Sequence, residues 1–165
     1  MPNLPLRLSV PLLAALLLGG CATRFDIGAA EHCITPQQAA NNIGLVQNKT
    51  IAWGGIIVAS RNLASQTQLE ILSYPLDEHG RPDREAKAGG RFIALHPGYL
   101  ELANYAEGRL VTMTGAVSET RAGSVGESRY VYPVLAVKTL FLWPTPEEEA
   151  NKPQFHFGVG VGIGL

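Results

Sequence analysis

In Leu16-Leu17-Leu18-Gly19-Gly20-Cys21 a thiol stands directly behind two small residues at the end of an apolar run. A peptidase pocket requires small side chains before the cut, and Gly19 and Gly20 meet that demand. A thiol at the first mature position is a nucleophile that can take a diacylglyceryl group. The combination reads as a bacterial lipoprotein processing site, cut between Gly20 and Cys21, with Cys21 becoming an N-palmitoyl, S-diacylglycerol residue. Each buried acyl methylene is worth ~0.8 kcal/mol, so one chain anchors marginally and two or three anchor for good. An ordinary secretory signal with an incidental cysteine is the alternative.

Other reactive side chains form no comparable pattern. His32, His79, His96 and His156 are scattered, and none has a second ligand at metal spacing. No Gly-x-Ser-x-Gly, Walker loop or dinucleotide fingerprint occurs. Gly54-Gly55 and Gly89-Gly90 are not followed by the helix that phosphate binding needs. Asp77 or Asp83 with His79 could pair as acid and base, although solvated loop charge accounts for them more simply. Arg81, Arg91 and Arg109 are expected to hold turn carbonyls and carboxylates rather than a substrate. Trp53, Tyr74, Phe92, Tyr130, Tyr132 and Trp143 suit either a sugar-stacking platform or the core of a small barrel, with the core preferred. Cys33 reads as a small buried residue, an intermolecular disulfide or reactive thiol being the alternatives. Catalytic, metal and cofactor sites are therefore expected to be absent.

The elements around these residues begin with an export segment. Met1 to Arg7 carries one positive side chain, and Leu8 to Leu18 is apolar apart from Ser9. That run reaches about half of a ~30 Å hydrocarbon core and cannot span it. Ala22 is not the aspartate that often signals inner-membrane retention, which favours the outer membrane. Removing residues 1–20 from 165 leaves 145, enough for one domain with a core. Losing Arg7 leaves 12 basic against 14 acidic residues, no electrostatic footprint for nucleic acid.

Residues 21–34 lack periodicity and are expected to tether the domain. Thr35-Pro36-Gln37-Gln38 carries the cap, first-turn proline and reciprocal side chain of a helix start. That short helix should end near Gly44, burying Ala39, Ala40 and Ile43. Five strands are expected at Thr50–Ser60, Thr67–Tyr74, Arg91–Leu95, Leu110–Val117 and Tyr130–Trp143. Gly54-Gly55 suggests a bulge or coil in the first, and Pro133 a break in the fifth. Pro75 to Gly90 is a long, charge-balanced polar loop, and loops of that length are often functional or mobile. Tyr99–Glu107 reads as a brief helix, and Arg121–Glu127 as a turn. Three strands, a helix and two more strands indicate an all-β fold: a small five-stranded, antiparallel, OB-like barrel with a short helix between strands three and four. A β-sandwich or another small barrel is the competitor. The domain is placed at 35–143, followed at 144–165 by a Pro/Glu linker and a tail. In the tail Phe155, Phe157, Val159, Val161, Ile163 and Leu165 alternate with His156 and glycines. That tail could pair with a sheet edge, self-associate or lie on lipid.

Trp53-Gly54-Gly55, Pro75-Leu76-Asp77, Gly80-Arg81-Pro82, Gly90-Arg91-Phe92, Gly108-Arg109 and Tyr130-x-Tyr-Pro133 follow the processing site in this order. Together they make the chain resemble the Slp family of Gram-negative outer-membrane lipoproteins from Cys21 to about Trp143. The resemblance implies lipid attachment at Cys21, an outer-membrane location and, for some relatives, induction under starvation or stress. It brings no catalytic residue and no ligand. The expectation is a non-enzymatic envelope lipoprotein on the periplasmic face, contacting the membrane through its anchor and another envelope protein or component. The alternative is a glycan or cell-wall-fragment binding module using strands two and three and the 75–90 loop.

Overall fold

The computed structural model describes residues 23–151. The processing site at Gly20-Cys21 and the tail from Phe155 lie outside the described residues. Helix α1 (Pro36–Asn41) starts as its sequence indicates: Thr35 Oγ1 accepts from Gln38 N–H, and Gln38 Oε1 accepts from Thr35 N–H. It ends at Asn41 and a 3-10 turn, Ile43–Leu45, follows. Ala39 is fully buried, while Ala40 and Ile43 are half-buried.

Strands β1 (Ile51–Asn62), β2 (Gln66–Tyr74), β3 (Gly90–Pro97), β4 (Leu110–Val125) and β5 (Ser128–Leu142) close into a ring, in the order β1-β2-β3-β5-β4. β1 serves both halves of that ring, with Ile51–Ile56 paired to β4 and Gly54–Asn62 paired to β2. Period-two alternation is clearest in β2, where Thr67, Leu69, Ile71 and Ser73 point inward. Leu69 and Ile71 meet Trp53, Ile57, Phe92, Val111, Met113 and Leu135 in one core.

The all-antiparallel expectation fails at one seam. β3 and β5 run parallel through Ile93↔Val134, Ala94↔Leu135 and Leu95↔Ala136. An odd number of strands cannot alternate direction all the way around a closed ring, so one parallel pair is unavoidable. No helix lies between β3 and β4. Asn104 and Tyr105 donate to Glu101 O, but the turn goes no further. Gly98 at φ +78° and Gly108 at φ +87° bound the segment, and Thr67 Oγ1 takes the N–H of Leu100.

Three boundaries also differ. The turn expected at Arg121–Glu127 is strand down to Val125↔Ser128, so β4 and β5 form a long hairpin. Pro133 does not break β5; it stands opposite Thr120, next to a bulge between Val117 and Glu119. Gly54-Gly55 is not a bulge either. The irregularity in β1 lies between Ile57 and Ala59, and the glycines instead allow close packing. A Cβ on Gly55 would sit 2.0 Å from Leu72 O.

Residues 144–151, expected to be linker, contain helix α2 (Pro146–Ala150), capped by Thr145 and Glu148 as α1 is by Thr35 and Gln38. The segment before α1 also lies along the ring. Phe25 N–H donates to His79 O, Glu31 bonds Thr50 and Ala52 through its backbone, and Trp53 Nε1 donates to Ile34 O at 2.7 Å.

Candidate functional site

The 75–90 loop, polar in sequence, is tied down by its own backbone. Asp77 Oδ1 accepts from the N–H groups of His79 and Arg81, both at 2.8 Å, and Asp83 N–H reaches Pro75 O. Asp83 Oδ1 accepts from Glu85 N–H. The carboxylates considered for acid–base work thus shape turns. His79 Nε2 approaches only Glu78, at 3.7 Å. Among the described residues no group of three His, Cys, Asp or Glu side chains could hold a metal.

The first half of this loop closes onto β4 and β5. Gly80 sits at φ +76°, where a Cβ would meet Phe25 O at 2.5 Å. Its carbonyl accepts from Thr112 Oγ1 at 2.7 Å, and Thr112 Oγ1 in turn accepts from Trp143 Nε1 at 2.9 Å. Arg81 lies over the Trp143 ring at 5.3 Å and pairs with Glu149 at 3.7 Å. Arg109 donates to Trp143 O and to Glu148. Gly80-Arg81 and Arg109 therefore converge on Trp143, the first pair at its indole and the last at its carbonyl.

The second half of the loop faces α1 across an open groove of about 850 Å³. Ile34, Gln37, Trp53, Leu72, Tyr74 and Tyr130 are among its lining residues, with Pro75 and Leu76 at one end and Lys87 at the rim. This volume is in the range of small-ligand sites. Gly89 and Gly90 let α1 approach: Gln37 N–H donates to Gly89 O, and a Cβ on Gly90 would be 3.0 Å from Gln37 Cβ and Tyr130 Oη. Tyr130 Oη accepts from Arg91 N–H at 2.8 Å and donates to Gln37 Oε1. Cys33, expected to be buried, is exposed on this groove. Its N–H donates to Glu31 Oε1 and holds that carboxyl below its ordinary pKa.

The outer face of β2 and β3 is occupied by its own polar groups. Arg91 Nη1 donates to Glu70 Oε1 at 2.7 Å, and Tyr132 Oη donates to the same oxygen and to Ser124 O. Burial and the Glu70 charge push the Tyr132 hydroxyl above its ordinary pKa. The β4–β5 hairpin overhangs this face, and the one aromatic ring lining the space beneath it, Tyr132, is 5% exposed. Trp53, Phe92, Tyr132 and Trp143 are buried, so only Tyr74 and Tyr130 of the aromatic set are half-exposed. Pro82 and Pro133 are buried too.

Sequence reasoning found the motif residues but not the groove, whose walls come from several stretches roughly 10 to 90 residues apart.

Comparison with known proteins adds the family. Residues 18–160 match the model of the outer membrane lipoprotein Slp family, which reaches past Trp143 into the tail and takes in Cys33. The chain is 31% identical to the uncharacterized lipoprotein YeaY of Escherichia coli K12, covering 85% of this chain and 74% of that one. It is 35% identical to an uncharacterized protein of Haemophilus influenzae, over 73% of this chain and 62% of that one. It is 29% identical to the outer membrane protein Slp of Escherichia coli K12, over 62% of this chain and 54% of that one. The chain thus spans less than two thirds of the length of the last two. A solved single-stranded DNA-binding protein from Streptomyces coelicolor is similar at 17% identity and a TM-score of 0.31, covering 56% of this chain and 92% of that one, a likeness that carries no argument. With the ordered motifs and a match across most of its length in agreement, the chain belongs to the Slp family of outer membrane lipoproteins.

Proposed function

We propose that this chain is a non-enzymatic lipoprotein, anchored through Cys21 to the periplasmic face of the outer membrane, that serves envelope maintenance under stress or starvation. Its β-domain is OB-like: β1 coils through both halves of a ring ordered β1-β2-β3-β5-β4, as in a five-stranded Greek-key barrel. The domain acts by holding another envelope component in the groove between α1 and the 87–90 segment. The observation carrying this reading is the family match itself, which begins at Leu18 and so takes in Gly19-Gly20-Cys21. The groove, at about 850 Å³, has a mixed lining of Trp53, Leu72, Tyr74 and Lys87 that suits a largely apolar ligand.

Two measurements test this. A palmitate analogue fed to cells should label the protein, and Cys21→Ser should lose both the label and processing at Gly20; a labelled Cys21→Ser protein overturns the anchor. Maleimide should alkylate Cys33 more slowly in intact envelopes than in purified protein, because an occupied groove covers the thiol. Equal rates remove the groove from the function.

A further inference from the structure

We infer that the protein has a fixed orientation on its membrane: the face built by Phe25, Arg81, Trp143 and α2 lies against the lipid headgroups, and the β4–β5 hairpin points away. This rests on the proposed acylation of Cys21. The partner is a bilayer surface.

The argument begins with reach. From Cys21 only four residue steps lead to Phe25, at most about 14 Å of extended chain. Phe25 is not loose. Its N–H donates to His79 O at 3.0 Å, and its ring stacks on Phe141 at 5.4 Å and 26°. Phe141 in turn packs edge-on against Trp143 at 4.8 Å. A lipidated Cys21 therefore holds this one face within about 14 Å of the acylated terminus.

A second segment leaves from the same face. The described chain ends at Asn151, just past α2, whose Glu148 and Glu149 are paired with Arg109 and Arg81 beside Trp143. The residues that follow include the alternating Phe155, Phe157, Val159, Val161, Ile163 and Leu165. The described chain thus begins and ends at one surface. The hairpin turn at Gly126-Glu127 lies fourteen residues along β5 from Phe141, up to about 45 Å away at strand rise.

The test uses the full lipidated chain carrying Cys33→Ser, reconstituted into phosphatidylethanolamine–phosphatidylglycerol vesicles that contain brominated lipid. A fluorophore is attached in turn to Arg84→Cys, Val159→Cys or Glu127→Cys. Labels at 84 and 159 should be quenched several-fold more than the label at 127. Phe25→Ala should shrink that difference by lengthening the free tether. Protein that floats with vesicles but shows equal quenching at 84 and 127 overturns the orientation and leaves the anchor standing. Strong quenching at 84 with none at 159 overturns the tail's part. Protein that fails to float overturns anchor and orientation together.

Discussion

The two halves of the 75–90 loop do opposite things with similar residues. From Asp77 to Pro82 the motif residues spend their polar groups on the fold: Asp77 on turn amides, Gly80 O on Thr112, Arg81 on the Trp143 ring and Glu149. From Lys87 to Gly90 the chain bonds α1 once, through Gly89 O, and leaves about 850 Å³ open beside it. The motif residues divide between the two: Asp77, Gly80, Arg81 and Pro82 specify the fold on the closed side, while Pro75, Leu76, Gly90, Arg91 and Tyr130 line the open one. The open half is where a partner has room.

That contrast can be attacked from the closed side first. Trp143→Ala removes the indole reached by Gly80-Arg81 and should cost about 3–5 kcal/mol in urea denaturation. A loss below 1 kcal/mol would show that the cluster is ornamental. Thr112→Val leaves both Gly80 O and Trp143 Nε1 without their partner and should cost about 1–3 kcal/mol. Gly80→Ala forces a Cβ into a left-handed position against Phe25 O, costing about 1–2 kcal/mol from conformation alone. It should also speed hydrogen exchange at the Phe25 amide.

Away from the loop, Tyr132 offers a pH handle. Its folded pKa is raised, so its contribution is complete below about pH 10, the unfolded tyrosine value, and is lost as pH rises through the folded value. Urea midpoints between pH 9 and 11 should fall more steeply for the wild type than for Tyr132→Phe. The smallest effect belongs to the open side. Cys33→Ser, at an exposed position, should stay within about 0.5 kcal/mol of wild type by the same denaturation.

What could be read beforehand follows from how locally each feature is encoded. Thr35-Pro36-Gln37-Gln38 announces α1 within four residues. Thr145-Pro146-Glu147-Glu148 carries the same signature for α2, yet the acidic run and the prolines around it made it look like linker. Strands with inward alternation, such as β2, were legible. The hairpin beyond Val117 was not, because both its faces are largely exposed and Arg121 to Val125 carry no period-two apolar signal. The groove was illegible for a different reason: no single stretch supplies more than one wall. Gly54-Gly55 drew attention correctly but for the wrong cause, since neighbouring strands crowd it from outside the local sequence.

The parallel seam between β3 and β5 has a consequence for how the chain reaches its destination. Ile93 must wait for Val134, and only three residue pairs join the two strands. Contacts so distant in sequence form late, since the loop between them must first be gathered. The ring therefore cannot lock until nearly the whole domain has been gathered, and that seam closes last.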